Sequence, residues 1–235
     1  MAERPYTVLS CAMSLDGYCD SASDQRLVLS NDEDLDRVDS ERADCDAILV
    51  GAGTVRIDNP RLVVRSTERV ARRTARGLPP TPVKVTVTER ADLDPAALFF
   101  ARGDTDKLVY CAHDTTEKAL ELLDGVATVV DAGQPVRMRW VCEDLHARGV
   151  RRLMVEGGGT VLTQFLTEDL VDELQLVVAP LFVGDSRARR LVDDGRFPWN
   201  PDRGATLLEA RPIGDVVLLR YALSSRCPMR PETSR

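Results

Sequence analysis

Two glycine clusters offer chemistry before anything else in the chain does. Glu156-Gly157-Gly158-Gly159-Thr160 follows the strand-like run Leu153–Val155 and precedes a helical pattern through Val161, Leu162, Phe165 and Leu166. Backbone N–H groups at a helix N-terminus attract phosphate, and glycine permits close approach because no Cβ stands in the way. A tight turn alone asks for a single glycine, so the run favours a phosphate or pyrophosphate site. The second cluster, Gly51-Ala52-Gly53-Thr54, follows Ala47–Val50. Arg56 takes the place of the third glycine of the dinucleotide fingerprint, so this signal is weak alone. Between them, residues 61–76 carry Arg61, Arg65, Arg69, Arg72, Arg73 and Arg76 against one acid, Glu68. Such a run is either a solvated helix face or a set of guanidinium forks beside a phosphate-bearing ligand.

Other chemistries lack their residues. His113 and His146 are isolated, and the six cysteines (11, 19, 45, 111, 142 and 227) form no C-x-x-C, so no zinc-ligand spacing exists. The thiols read as buried and reduced. Turnover is therefore expected to survive exhaustive chelation. Neither a P-loop G-K-[ST] nor the zinc deaminase signature is present.

The elements that must position these groups are short. Strand-like runs lie at Tyr6–Ala12, Ala47–Val50, Val83–Val87, Leu108–Tyr110, Ala127–Val130, Leu153–Val155, Leu174–Val178 and Val216–Leu219. Their unbroken apolar character predicts strands covered on both faces, as in a parallel sheet. Ser30 with Glu33 forms a capping-box signal for a helix through Leu35, Val38 and Arg42. Arg211-Pro-Ile-Gly-Asp215 reads as a turn, returning the last strand antiparallel. The expectation is one α/β domain over residues 5–222, with fraying at 1–4 and 226–235.

Composition agrees with a globular chain: 235 residues, 43% hydrophobic and 29% charged. A net charge of −7 argues against general nucleic-acid affinity. The longest apolar run, Leu176–Val183, is broken by Pro180 and falls short of the roughly 20 residues of a membrane span. Without a signal-peptide pattern at its start, the chain is expected in the cytoplasm.

Together the motifs resemble a known family. Ser14-Leu-Asp-Gly17, Gly51-Ala-Gly-Thr-Val-Arg-Ile-Asp-Asn-Pro60, Glu156-Gly-Gly-Gly-Thr160, Leu170-Val-Asp-Glu-Leu174 and Ala179-Pro-Leu-Phe-Val-Gly184 succeed one another in that order. This resembles the pyrimidine reductase domain of riboflavin biosynthesis, a relative of dihydrofolate reductase, in its form without the zinc deaminase domain. The resemblance implies a dihydrofolate reductase-like fold, with a mostly parallel central sheet flanked by helices and an antiparallel C-terminal strand. It also implies NADPH-dependent reduction of 5-amino-6-(5-phosphoribosylamino)uracil, or its non-deaminated precursor, to the ribitylamino product. A homodimer is expected, with the phosphorylated pyrimidine as its small-molecule partner.

Carried over position by position, Ala12, Thr54, Asp58, Gly158, Gly159 and Thr160 would face NADPH, with Arg90 beside Glu89 at the 2′-phosphate. Arg42, Leu62, Arg65 and Glu156 would face substrate, Arg42 and Arg65 on its phosphate and Glu156 as the catalytic carboxylate. Read without the resemblance, Arg42 is equally an exposed helix residue, Arg65 a member of the arginine run, Asp58 a turn residue before Asn59-Pro60, and Asp16 structural. Ser10 stands where bifunctional members carry a lysine. Two rival readings remain, a pterin reductase and a catalytically silent nucleotide-binding module.

Overall fold

The run Ala47–Gly51 is unbroken because neither face of its strand meets water; all five residues are buried. On one side Leu49 packs in a core with Val155, Val161 and Phe165. On the other, Ile48 and Val50 pack with Val55, Phe99 and Met154. The computed structural model describes residues 3–23 and 27–228. Its strands are β1 (Tyr6–Ser14), β2 (Ala47–Gly51), β3 (Val83–Thr88), β4 (Lys107–Cys111), β5 (Thr128–Asp131), β6 (Arg152–Gly157), β7 (Glu173–Ala179), β8 (Thr206–Ile213) and β9 (Val216–Ala222). They form one sheet in the order β5-β4-β3-β2-β6-β1-β7-β9-β8. Every pairing from β5 to β7 is parallel, and β9 and β8 close that end antiparallel.

The mostly parallel α/β sheet is the arrangement expected above, with one addition. Two antiparallel strands stand at the end instead of one, and Arg211–Ile213 belongs to β8 rather than to a turn. The helices are α1 (Asp32–Ala43), α2 (Ala52–Asp58), α3 (Thr67–Ala75), α4 (Leu98–Ala101), α5 (Thr116–Leu122), α6 (Met138–Ala147) and α7 (Gly159–Thr167). Among the described residues no helix is long and apolar enough to cross a membrane.

The start of α1 lies one residue later than the capping box predicts. Asn31, not Ser30, accepts the Asp34 amide, at 2.9 Å. Its amide nitrogen donates to the Ile213 carbonyl and to Asp215, which fastens the helix to the β8–β9 hairpin. The asparagine accepts with its oxygen and donates with both N–H groups, where a serine hydroxyl has a single donor.

Part of the arginine run is structural, while Arg61, Arg72 and Arg76 are exposed. Arg73 is only 2% exposed and donates to the carbonyls of Ala43, Cys45 and Pro79, stitching α3 beneath β2. Arg69 forks onto Asp36 and reaches Asp39, so α3 is also clamped to α1. Arg4 and Arg226, expected to fray, are both held: they donate to the buried carboxylate of Asp172, as do the Ser224 hydroxyl and the Thr7 amide. Residues 1–2 and 229–235 lie outside the described residues.

Candidate active site

Where the parallel strands end, two cavities open side by side, in the crevice where open α/β sheets bind ligands. The larger, about 960 Å³, lies between the ends of β2 and β3, the start of α7 and the loop 186–194. The smaller, about 250 Å³, lies between α1 and the sheet, over Ser10, Ala12 and Glu156. They share Thr54, Gly158, Gly159 and Arg189 along their common wall.

The glycine turn makes that wall thin. Gly158 caps α7 with φ of 85°, a left-handed conformation that residues bearing a Cβ adopt at a cost. A Cβ placed there would stand 3.3 Å from Thr54 Oγ1. One at Gly159 would stand 3.2 Å from the Arg190 carbonyl. The first N–H groups of α7 have no helical acceptor, and Gly159, Thr160 and Val161 line the larger cavity, where Thr160 Oγ1 donates to Asp193 at 3.2 Å. A volume within the usual range for ligand sites, a cradle that a side chain would fill and a helix N-terminus fit a dinucleotide.

The smaller cavity is walled by a half-buried ion pair. Arg42 Nε and Nη2 each stand 2.6 Å from a different oxygen of Glu156, a bidentate fork. The two side chains are only 17% and 12% exposed. Burial alone would lower the Arg42 pKa, but the facing carboxylate of Glu156 holds it above its ordinary value. One and a half turns earlier, Arg37 donates to the buried Asp34 and to Gln175 on β7. Helix α1 therefore spans β6, β1 and β7, with Ser10 on the middle strand.

The expected site residues fall into four groups. Thr54, Gly158 and Gly159 line both cavities; Thr160 and Arg90 line the larger; Ala12, Asp58, Arg42 and Glu156 line the smaller. Leu62 and Arg65 are not among the residues lining either cavity. Leu62 is 2% exposed in the core with Phe99 and Met154, at φ of 45°. Arg65 donates to the Leu35 carbonyl, while its own amide donates to Asp39, so it braces α1 from outside. Arg42 also differs from the expectation of a phosphate ligand, because its fork is already engaged by Glu156. Sequence reasoning missed Asp34, Arg37 and Arg189. The first two carry a local signal, an acid and an arginine spaced i,i+3. The third sits in the basic string Arg187-Ala-Arg-Arg190 beyond Gly184.

Asp16 has the structural role its turn suggests. Its carboxylate accepts from the Ser14 hydroxyl at 2.5 Å and from the amides of Val183 and Gly184 at 3.0 and 2.8 Å. These bonds, the hydroxyl foremost, hold its pKa down at about 2. The depressed value fixes the sign: the tie is complete above the ordinary carboxylate range and is lost as pH falls through about 2. Asp16→Ala is expected to speed amide exchange at Val183 and Gly184 at neutral pH while leaving the core strands protected. Unchanged exchange at both amides would show that the tie holds nothing.

Comparison with known proteins adds relatives to this geometry. The family model described as RibD C-terminal domain matches residues 5–219. A protein of Archaeoglobus fulgidus named 2,5-diamino-6-ribosylamino-4(3H)-pyrimidinone 5′-phosphate reductase is 37% identical over 195 residues, covering 83% of this chain and 89% of its own. A protein of the same name in Methanothermobacter thermautotrophicus is 38% identical over 192 residues, covering 81% and 84%. Among solved structures, a pyrimidine reductase-like protein of Corynebacterium diphtheriae matches with a TM-score of 0.78 and 21% identity, covering 93% of this chain and 91% of its own. At that identity the likeness speaks for the fold alone.

Proposed function

The chain belongs to the RibD C-terminal domain family, and from that premise we propose that it reduces the ribosylamino phosphate of a diaminopyrimidinone, or of its deaminated uracil counterpart, with NADPH. The observation that carries the reading is the pair of cavities meeting at Thr54, Gly158 and Gly159, with the Glu156–Arg42 pair walling the smaller one. NADPH supplies the hydride. In the overall reaction C1′ of the ribose gains that hydride, the C1′–O4′ bond breaks and O4′ takes a proton, leaving the ribityl chain.

The protein's part is to bind, orient and exclude water. Glu156 offers two acceptor oxygens to ring N–H groups, and Arg42 fixes the plane in which they point. The thin glycine wall lets a nicotinamide in the larger cavity approach the ribose in the smaller. Thr54 and Thr160 offer hydroxyls, and the N-terminus of α7 offers N–H groups, to the dinucleotide. Arg90, 79% exposed and 4.0 Å from Asp92, is available for the 2′-phosphate. Glu89, held by the Val136 amide, stands beside it.

The test is NADPH oxidation measured against the ribosylamino pyrimidine phosphate, its deaminated form and dihydrofolate, with NADH in parallel. Turnover of a pyrimidine, none of dihydrofolate, and at least tenfold lower kcat/KM with NADH are expected. Turnover of dihydrofolate alone would make the protein a pterin reductase. Tight NADPH binding without oxidation on any of the three would make it a silent binding module.

A further inference from the structure

A phosphate ester is recognised by guanidinium N–H groups that are not already engaged. Most arginines lining the two cavities fail that condition. Arg42 gives Nε and Nη2 to Glu156, and Nη1 lies 3.5 Å from the Val63 carbonyl. Arg37 is divided between Asp34 and Gln175. Arg56 pairs with Asp92 at 2.6 Å. Arg190 has its guanidinium over the Tyr18 ring, 5.4 Å from the centroid, and lines the larger cavity only. Arg90 stands in the larger cavity only.

Arg189 alone among these combines an unengaged guanidinium with a place at both cavities. It lines both cavities, and among the described residues its guanidinium has neither a hydrogen bond nor an ion pair. Its backbone, by contrast, is pinned. The Arg189 carbonyl accepts the Cys19 amide at 2.9 Å, Arg190 bridges to Tyr18, and the Leu191 amide reaches the Gly17 carbonyl. A fixed backbone with an unengaged cation at the common wall is how a protein holds a donor ready for an arriving anion.

We infer that Arg189 is the guanidinium that takes a phosphate oxygen where the two cavities meet. The anion belongs either to the pyrophosphate of the dinucleotide or to the 5′-phosphate of the sugar; both present the same oxygens to the same fork. Assigning either source rests on the proposed function, whereas the anion site itself does not.

The experiment compares wild type with Arg189→Gln and Arg189→Lys, each shown to be folded by circular dichroism. Equilibrium binding of NADPH and of ribose 5-phosphate is measured, together with kcat/KM on the phosphorylated and dephosphorylated pyrimidine. The expected result is a loss of about tenfold or more in Arg189→Gln, partly restored in Arg189→Lys, which keeps the charge but cannot form two parallel bonds. A loss confined to NADPH identifies the pyrophosphate as the source. A loss confined to ribose 5-phosphate and the phosphorylated pyrimidine identifies the sugar phosphate. Binding losses in a protein that turns over no pyrimidine would sustain the anion site while refuting the proposed function. Affinities within twofold of wild type for both NADPH and ribose 5-phosphate would overturn the inference.

Discussion

Glu156→Gln is expected to lower kcat/KM on the pyrimidine about 10- to 150-fold and to melt at a lower temperature than wild type. The kinetic loss follows from removing a charge-assisted acceptor, about 1.5–3 kcal/mol. The thermal loss follows from the neighbour. With the carboxylate gone, Arg42 keeps its charge in a site where it is only 17% exposed and has one neutral oxygen where it had a bidentate partner. Breaking a fully buried pair costs about 3–5 kcal/mol; with this residual exposure about 2–3 kcal/mol is expected. In a chain of this size that is about 5–10 °C in Tm. Arg42→Gln should destabilise similarly, since it leaves a half-buried carboxylate uncompensated. The double variant Arg42→Gln/Glu156→Gln should lose less stability than the two singles added, because no bare charge remains. Strict additivity, or wild-type kinetics in Glu156→Gln, would mean that the pair neither acts as a unit nor reads the substrate.

Gly158→Val is the second large effect. The residue sits at φ of 85°, which costs a side-chain-bearing residue about 1–2 kcal/mol, and more when it is β-branched. Its Cβ would stand 3.3 Å from Thr54 Oγ1, and the valine methyls would enter the wall between the cavities. NADPH affinity should fall at least tenfold, or about 1.4 kcal/mol, by fluorescence titration. Gly158→Ala, carrying the backbone cost without the methyls, should lose less. A folded valine variant with unchanged NADPH affinity would remove this turn from the cofactor site.

What could be read in the chain beforehand follows from how local each feature is. The unbroken run Ala47–Gly51 is apolar because both faces are covered, so composition alone reveals the strand. The turn at Gly157–Gly159 was equally plain, because positive φ at two of its residues selects glycine from within the chain's own backbone. β8 was invisible for the opposite reason. As an edge strand it pairs only with β9, faces solvent over most of its length, and carries Glu209, Arg211 and Pro212, residues a central strand would exclude.

The site divides the same way. Arg42 and Glu156 are 114 positions apart, and nothing in either neighbourhood announces that they meet. The resemblance set both against substrate; only the three-dimensional packing gives Arg42 to Glu156. Leu62 and Arg65 were drawn toward the site by their place in a motif, yet the left-handed backbone at Leu62 turns that residue into the core. Arg73 illustrates the limit of charge counting, since a run of guanidinium groups conceals one that three carbonyls hold inside.

The carboxylate of Asp172 gathers Arg4, Arg226, Ser224 and the Thr7 amide at the opening edge of β1 and β7, the opposite pole of the sheet from both cavities. Both arginines are therefore anchored on the far side of the sheet from the cavities. An affinity handle or an immobilising surface can be joined there without shading the cavity mouths. Joining the two anchored points through a short peptide would let the chain be reopened at an exposed loop, such as the one after α4, with the sheet order intact.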